Sequence, residues 1–106
     1  MYLCIKINHV MNLEQLIASD SGTIIDVRTP MEFMGGHVAG SINIPLMELP
    51  NRLEDVKSMD SPLIFCCASG NRSGQATQFC LNQGIEALNG GAWTTVNYYK
   101  SLPHQF

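Results

Sequence analysis

Two adjacent thiols, Cys66 and Cys67, end a short apolar run and are followed by Ala68, Ser69, Gly70, Asn71, Arg72 and Ser73. A cysteine at the end of a strand, then a small polar loop, then a helix is an arrangement with definite chemistry. Loop amides and the free N–H groups of a helix N-terminus converge on one point, where they stabilise an anion. A thiolate is such an anion, and the same field lowers the pKa of the thiol. Arg72, at the far end of the loop, adds a permanent positive charge. Cys67 is therefore read as a nucleophile near neutral pH, with Ala68 to Ser73 as the loop that binds its ligand.

The flanking segments must position that loop. Thr23 to Val27 is β-branched and apolar up to Asp26, as expected of a buried strand with polar side chains at its C-terminal end. Leu63 to Cys67 is a continuous apolar run too short for a helix and is predicted as the central strand. Further strands are expected at Leu3–Ile7 on an edge, Ser41–Ile44 and Ile85–Leu88, with Gly90-Gly91 as a turn. Helices are expected from Asn12 to Ala18, from Pro30, over Met47–Val56 despite Pro50, over Gln75–Gln83 with Gly84 as its cap, and over Ala92–Leu102. Apolar runs alternating with amphipathic stretches give an α/β class with a parallel sheet. Ligands in such sheets bind at the carboxyl ends of the strands, where the loop lies.

Composition limits the alternatives. A chain of 106 residues suits one domain over 1–106, and 45% hydrophobic with 14% charged residues suits a packed core. A net charge of -3 with only 6 Lys plus Arg argues against nucleic acid as a partner. No stretch approaches the roughly 20 apolar residues of a membrane helix, and no export signal is evident at the N-terminus, so a cytoplasmic location with reduced thiols is expected. The 4 cysteines do not form a staple framework, since Cys66 and Cys67 are neighbours. The same adjacency removes the usual two-residue gap between zinc ligands, and no metal or other cofactor is expected. Cys4 reads as structural. His37, between Gly36 and Gly40, reads as turn architecture rather than a base, and Trp93, Tyr98 and Tyr99 are assigned to packing.

Three segments, "DVRTPMEFMGGHVAGSINIPL", "CCASGNRSGQA" and "LNGGAW", occur in order between Ile24 and Trp93 and closely resemble the rhodanese-like domains. The resemblance implies a five-stranded, mostly parallel sheet with helices on both faces. It also implies a persulfide on the loop cysteine, and transfer of sulfur from a small anionic donor such as thiosulfate to a thiophilic acceptor such as cyanide, a thiol or a protein. Loop length separates this from a related chemistry. Four residues lie between Cys67 and Arg72, as in sulfurtransferases, and five between Cys66 and Arg72, as in tyrosine phosphatases and the phosphatase branch of the fold. Gly70, three residues after Cys67, and Phe65 in place of a histidine before Cys66 favour Cys67. A phosphatase or arsenate reductase using Cys66, and a non-catalytic sulfur carrier or partner-binding module, are the rival readings.

Strand alternation sends Cys66 away from the loop, as a buried hydrophobe or, with Cys80, as a resolving thiol. Arg72 is expected to bind the sulfonate end of a donor or to support the loop, against the alternative of a surface salt bridge. Asp26 is expected to accept loop N–H groups, and Arg28 to attract the donor or pair with Glu32. Ala68 stands where commoner members carry a charge, which leaves the preferred donor open.

Overall fold

The computed structural model describes residues 12–103. Four parallel strands form one sheet in the order β2-β1-β3-β4: β1 is Thr23–Asp26, β2 Ile42–Asn43, β3 Leu63–Cys67 and β4 Ala87–Ala92. The edge strand expected at Leu3–Ile7, the fifth, lies outside the described residues.

All of β3 is buried, which accounts for its unbroken apolar run. Its alternating side chains feed two cores. Leu63, Phe65 and Cys67 pack with Leu49, Val56, Ala76 and Cys80 on one face of the sheet. Ile64 and Cys66 pack with Ile17, Val38 and Val96 on the other. Helices therefore cover both faces, and the strand that carries the two thiols sends them in opposite directions. Among the described residues no helix is long and apolar enough to cross a membrane.

The local signals explain most of the helices. Helix α1, Leu13–Ala18, starts at Asn12 in a capping box with Gln15. Helix α2, Pro30–Met34, starts at Thr29 in a second box with Glu32 and has Pro30 in its first turn. Met47–Val56 is not one α-helix. Pro50 has no N–H to give and crowds the preceding turn, so Leu46–Arg52 forms a 3-10 turn and α3 covers only Leu53–Lys57. Helix α4, Asn71–Asn82, begins earlier than expected, which makes Arg72 and Ser73 members of its first turn. Gly84 follows its end with φ +78°, as a helix C-terminus prefers. Helix α5 is Trp93–Lys100.

Gly90 and Gly91 lie within β4 and do not form a turn. Phe65 pairs with Asn89 and Cys66 with Gly91, so Gly90 is the extra residue of a bulge. A Cβ at Gly90 would stand 2.9 Å from Val96 and 3.0 Å from the Phe65 carbonyl oxygen. The glycine permits a close approach of backbone to the core.

Asp26 and Arg28 form a buried ion pair. Arg28 Nη2 donates to Asp26 Oδ2 at 2.7 Å and Nε to Oδ1 at 2.9 Å, while the Arg28 amide reaches Oδ1 at 3.1 Å. Arg28 also donates to the Gly36 carbonyl at 2.7 Å and lies 4.8 Å from the centre of the Trp93 ring. Asn43 Nδ2 donates to the carbonyls of both Asp26 and Arg28 at 3.0 Å. The hydrogen bonds to Asp26 raise the Arg28 pKa against the opposing effect of burial. Removing one partner leaves the other charged and buried, so Asp26→Ala is expected to lower unfolding stability by about 3–5 kcal/mol. A urea titration of the variant against wild type measures this.

Candidate active site

Cys67 ends β3, and the chain must reverse at once for α4 to pack back on the sheet. Gly70 makes that reversal with φ +103°, a conformation that side chains resist. It precedes the helix and directs its own N–H at the Cys67 sulfur, 3.0 Å away. The first turn of a helix leaves its amides without intrahelical partners, and the Ser73 N–H reaches the same sulfur at 3.4 Å. The Ser73 hydroxyl lies 3.3 Å from it. Ser73 is buried, and Cys67 is only 1% exposed, so bulk water does not compete for these contacts.

Burial alone would push the Cys67 thiol up. The Ser73 hydroxyl and the amides of Ser73, Gly70 and Ser69 together outweigh it and hold the thiol below its ordinary value. One residue earlier the balance reverses. Cys66 is fully buried on the opposite face, where desolvation, helped by the Asp26 carboxylate, pushes it up to about 12. Burial also raises Cys80, which lies in the same core as Cys67. Among the described thiols the loop thus lowers the pKa of one, and burial raises that of the other two.

Arg72 forks onto Glu32 of α2, with Nη1 to Oε1 at 2.8 Å and Nη2 to Oε2 at 3.0 Å. The hydrogen bonds from Arg72, and then that from the Thr29 amide, bring the Glu32 carboxyl down to about 2. Both side chains are about one-third exposed, 34% and 37%, so the pair adds little stability by itself. It does fix where the guanidinium stands, at the edge of the sulfur loop. Of the alternatives considered for Arg72, the structure shows the partly exposed salt bridge, made from the first turn of α4.

Asp26 does not receive loop amides. It shares a sheet face with Ile24, the face of Cys66, and its carboxylate takes Arg28. Arg28 in turn is committed to Asp26 and Gly36 and does not pair with Glu32. These two residues brace the sheet behind the site. His37 Nδ1 lies 2.7 Å from the Phe33 carbonyl, and its ring stacks on Phe33 with centroids 3.7 Å apart, in keeping with a turn. Ala68, Ser69 and Asn71 complete the loop and the helix start. Sequence reasoning did not single out Asn89, whose side chain meets Ser73 Oγ at 2.7 Å. Nor did it pair Glu32 with Arg72, although the Thr29-to-Glu32 capping spacing fixes where that carboxylate begins.

Comparison with known proteins agrees with this geometry. The family model of the rhodanese-like domain matches residues 10–95. YqhL of Bacillus subtilis, an uncharacterised protein, is 42% identical over 71 residues, covering 64% of this chain and 56% of that one. The thiosulfate sulfurtransferase GlpE of Shewanella oneidensis is 32% identical over 93 residues, covering 83% and 91%. The chain spans about half the length of some curated relatives, 48% of slr1261 from Synechocystis among them. Among solved structures, the human single-domain sulfurtransferase TSTD1 superposes with a TM-score of 0.62 at 30% identity, over 85% of this chain and 91% of that one. A strand-end cysteine facing its own loop, within a fold matched over most of its length, places the chain in the rhodanese-like domain family.

Proposed function

We propose that this domain transfers sulfane sulfur through a persulfide on Cys67. The observation that carries the reading is the donor set around one sulfur atom: two main-chain N–H groups at 3.0 and 3.4 Å and a hydroxyl at 3.3 Å. Such a set stabilises the Cys67 thiolate, both as the attacking nucleophile and as the group returned when the outer sulfur leaves. In the first step Cys67 thiolate attacks the outer sulfur of thiosulfate. The new S–S bond forms on Cys67 as the sulfur–sulfur bond of the donor breaks, and sulfite leaves with the electron pair. In the second step a nucleophilic acceptor, cyanide or a thiolate, takes the outer sulfur and returns Cys67 as thiolate. No net redox change falls on the protein.

Arg72 carries a fixed positive charge in the first turn of the helix that follows the loop, and we assign it to binding the anionic end of the donor in exchange for Glu32. The rival hydrolysis of phosphate esters by Cys66 is disfavoured by the position of that thiol, which is buried on the far face and held protonated. Sulfur transfer to a protein thiol would use the same persulfide.

Incubation with thiosulfate is expected to add about 32 Da, one sulfur, to wild type and nothing to Cys67→Ser, with cyanide removing the adduct. Intact-mass spectrometry reads this, and an unchanged wild-type mass with every sulfane donor tried would defeat the proposal. Alkylation by iodoacetamide, followed at Cys67 by fragment-ion mass spectrometry, is expected to reach half its maximal rate at a lower pH in the folded protein than in the unfolded one, because the folded loop favours the thiolate. Cys66 and Cys80 should stay unmodified until the protein is unfolded. Arg72→Ala is expected to raise the KM for thiosulfate about tenfold, the scale of one charge-assisted hydrogen bond, in steady-state assays. Its urea midpoint should hardly move, since the pair with Glu32 is partly exposed.

A further inference from the structure

Asn89, in β4, ties together Gly70 and Ser73, two of the residues whose amides face the Cys67 sulfur. Its Nδ2 donates to the Gly70 carbonyl at 3.1 Å, and its Oδ1 accepts from the Ser73 hydroxyl at 2.7 Å and from the Gly91 amide at 2.9 Å. These partners fix the orientation of the side-chain amide without ambiguity. The Gly70 carbonyl can only accept and the Gly91 N–H can only donate, so Nδ2 must face the first and Oδ1 the second. Ser73 then gives its single hydroxyl proton to Asn89, and its oxygen is left to accept from the protonated Cys67 thiol. When Cys67 ionises, that hydroxyl proton is the one available to turn toward the sulfur, while Oδ1 keeps the Gly91 amide.

The surrounding backbone is shaped to hold this side chain. The bulge at Gly90 follows Asn89 directly and returns the Gly91 N–H to its side chain. A Cβ at Gly74 would stand 3.3 Å from Asn89 Nδ2, so the glycine in α4 leaves the space the amide fills. Gly70 in its turn approaches Gly91, where a Cβ at Gly70 would be 3.4 Å from the Gly91 Cα.

From this arrangement we infer that Asn89 is a positioning residue of the sulfur site: it anchors Gly70 and orients the Ser73 hydroxyl, and so sets the proton affinity of Cys67 without touching it. The inference rests on Cys67 being the sulfur-bearing nucleophile. Asparagine is suited to the task because one side chain supplies both a donor and an acceptor. Asn89→Asp retains the acceptors and loses the donor, turning a hydrogen bond to the Gly70 carbonyl into a repulsion. Asn89→Leu retains neither. Asn89 is exposed, so neither change opens the core.

The test is the pH dependence of Cys67 alkylation by iodoacetamide in wild type, Asn89→Leu and Asn89→Asp, with circular dichroism and urea midpoints as folding controls. The midpoint is expected to rise by about half a unit in Asn89→Leu, because loss of the Gly70 anchor loosens the amide that faces the sulfur and outweighs the release of the Ser73 hydroxyl, and by about one unit in Asn89→Asp, whose carboxylate also keeps that hydroxyl from the thiolate. Titration curves that overlie wild type in both variants would overturn the inference. So would a rise confined to Asn89→Asp, which is plain charge repulsion. Persulfide formation by wild type is scored separately: its absence would defeat the sulfur-transfer reading, whereas the alkylation midpoints judge Asn89 in either case.

Discussion

The site depends on the backbone of Gly70. A chain leaving a buried parallel strand and entering a helix that packs back on the same sheet has to reverse within a few residues, and here it does so through one positive φ. That single conformation has three effects. It points the Gly70 amide at the Cys67 sulfur, starts α4 early enough for Ser73 to contribute its amide and hydroxyl, and presents the Gly70 carbonyl to Asn89. The donors are fixed before any substrate arrives, and their alignment costs nothing at the moment of reaction.

The central strand adds a second constraint by sorting two chemically identical groups. Cys66 and Cys67 are neighbours in sequence, yet alternation places one against Ile17 and Val96 and the other beneath the loop. The first is desolvated beside a carboxylate and the second is desolvated among hydrogen-bond donors. Opposite shifts in proton affinity follow from the direction of a Cβ, not from any difference in residue type. Phe65, fully buried in the core on the Cys67 face, opposes a slide of the strand by one residue, which would exchange the two thiols.

Much of this was legible in the sequence. The capping residue Asn12, Pro30, Gly84 and the apolar run before Cys67 mark their elements by local chemistry alone, and the expectation of Cys67 over Cys66 rests on loop spacing and alternation. What was not legible depended on contacts between distant segments. The Gly90-Gly91 pair has the composition of a turn, and only the packing of Val96 and Ile64 against it makes it a bulged strand. Asp26 and Arg28 close a strand beside the loop, but which face they occupy depends on sheet register, and that face is the one behind the site. The apolar spacing of Met47–Val56 suggested a single helix despite Pro50, and the break that Pro50 imposes is the part that reading missed. Asn89 gives no local signal, because its partners Gly70 and Ser73 are brought to it only by the pairing of β3 with β4.

If Arg72 binds the donor as proposed, its fork with Glu32 has a consequence for selection among donors. Glu32 is held by the capping box of α2, so its carboxylate is a tethered ligand at high effective concentration and remains charged across the physiological range. An incoming anion must exchange with it and does not simply add to a vacant cation. This acts as a threshold on weakly charged anions, since an ion that cannot offer the guanidinium at least the two oxygens that Glu32 already supplies loses the contest. Sulfur donors without an anionic end bypass the exchange altogether. Under the proposed sulfur transfer the salt bridge would work as a filter set by a competitor within the protein, with a stringency that changes in α2 could alter without disturbing Cys67.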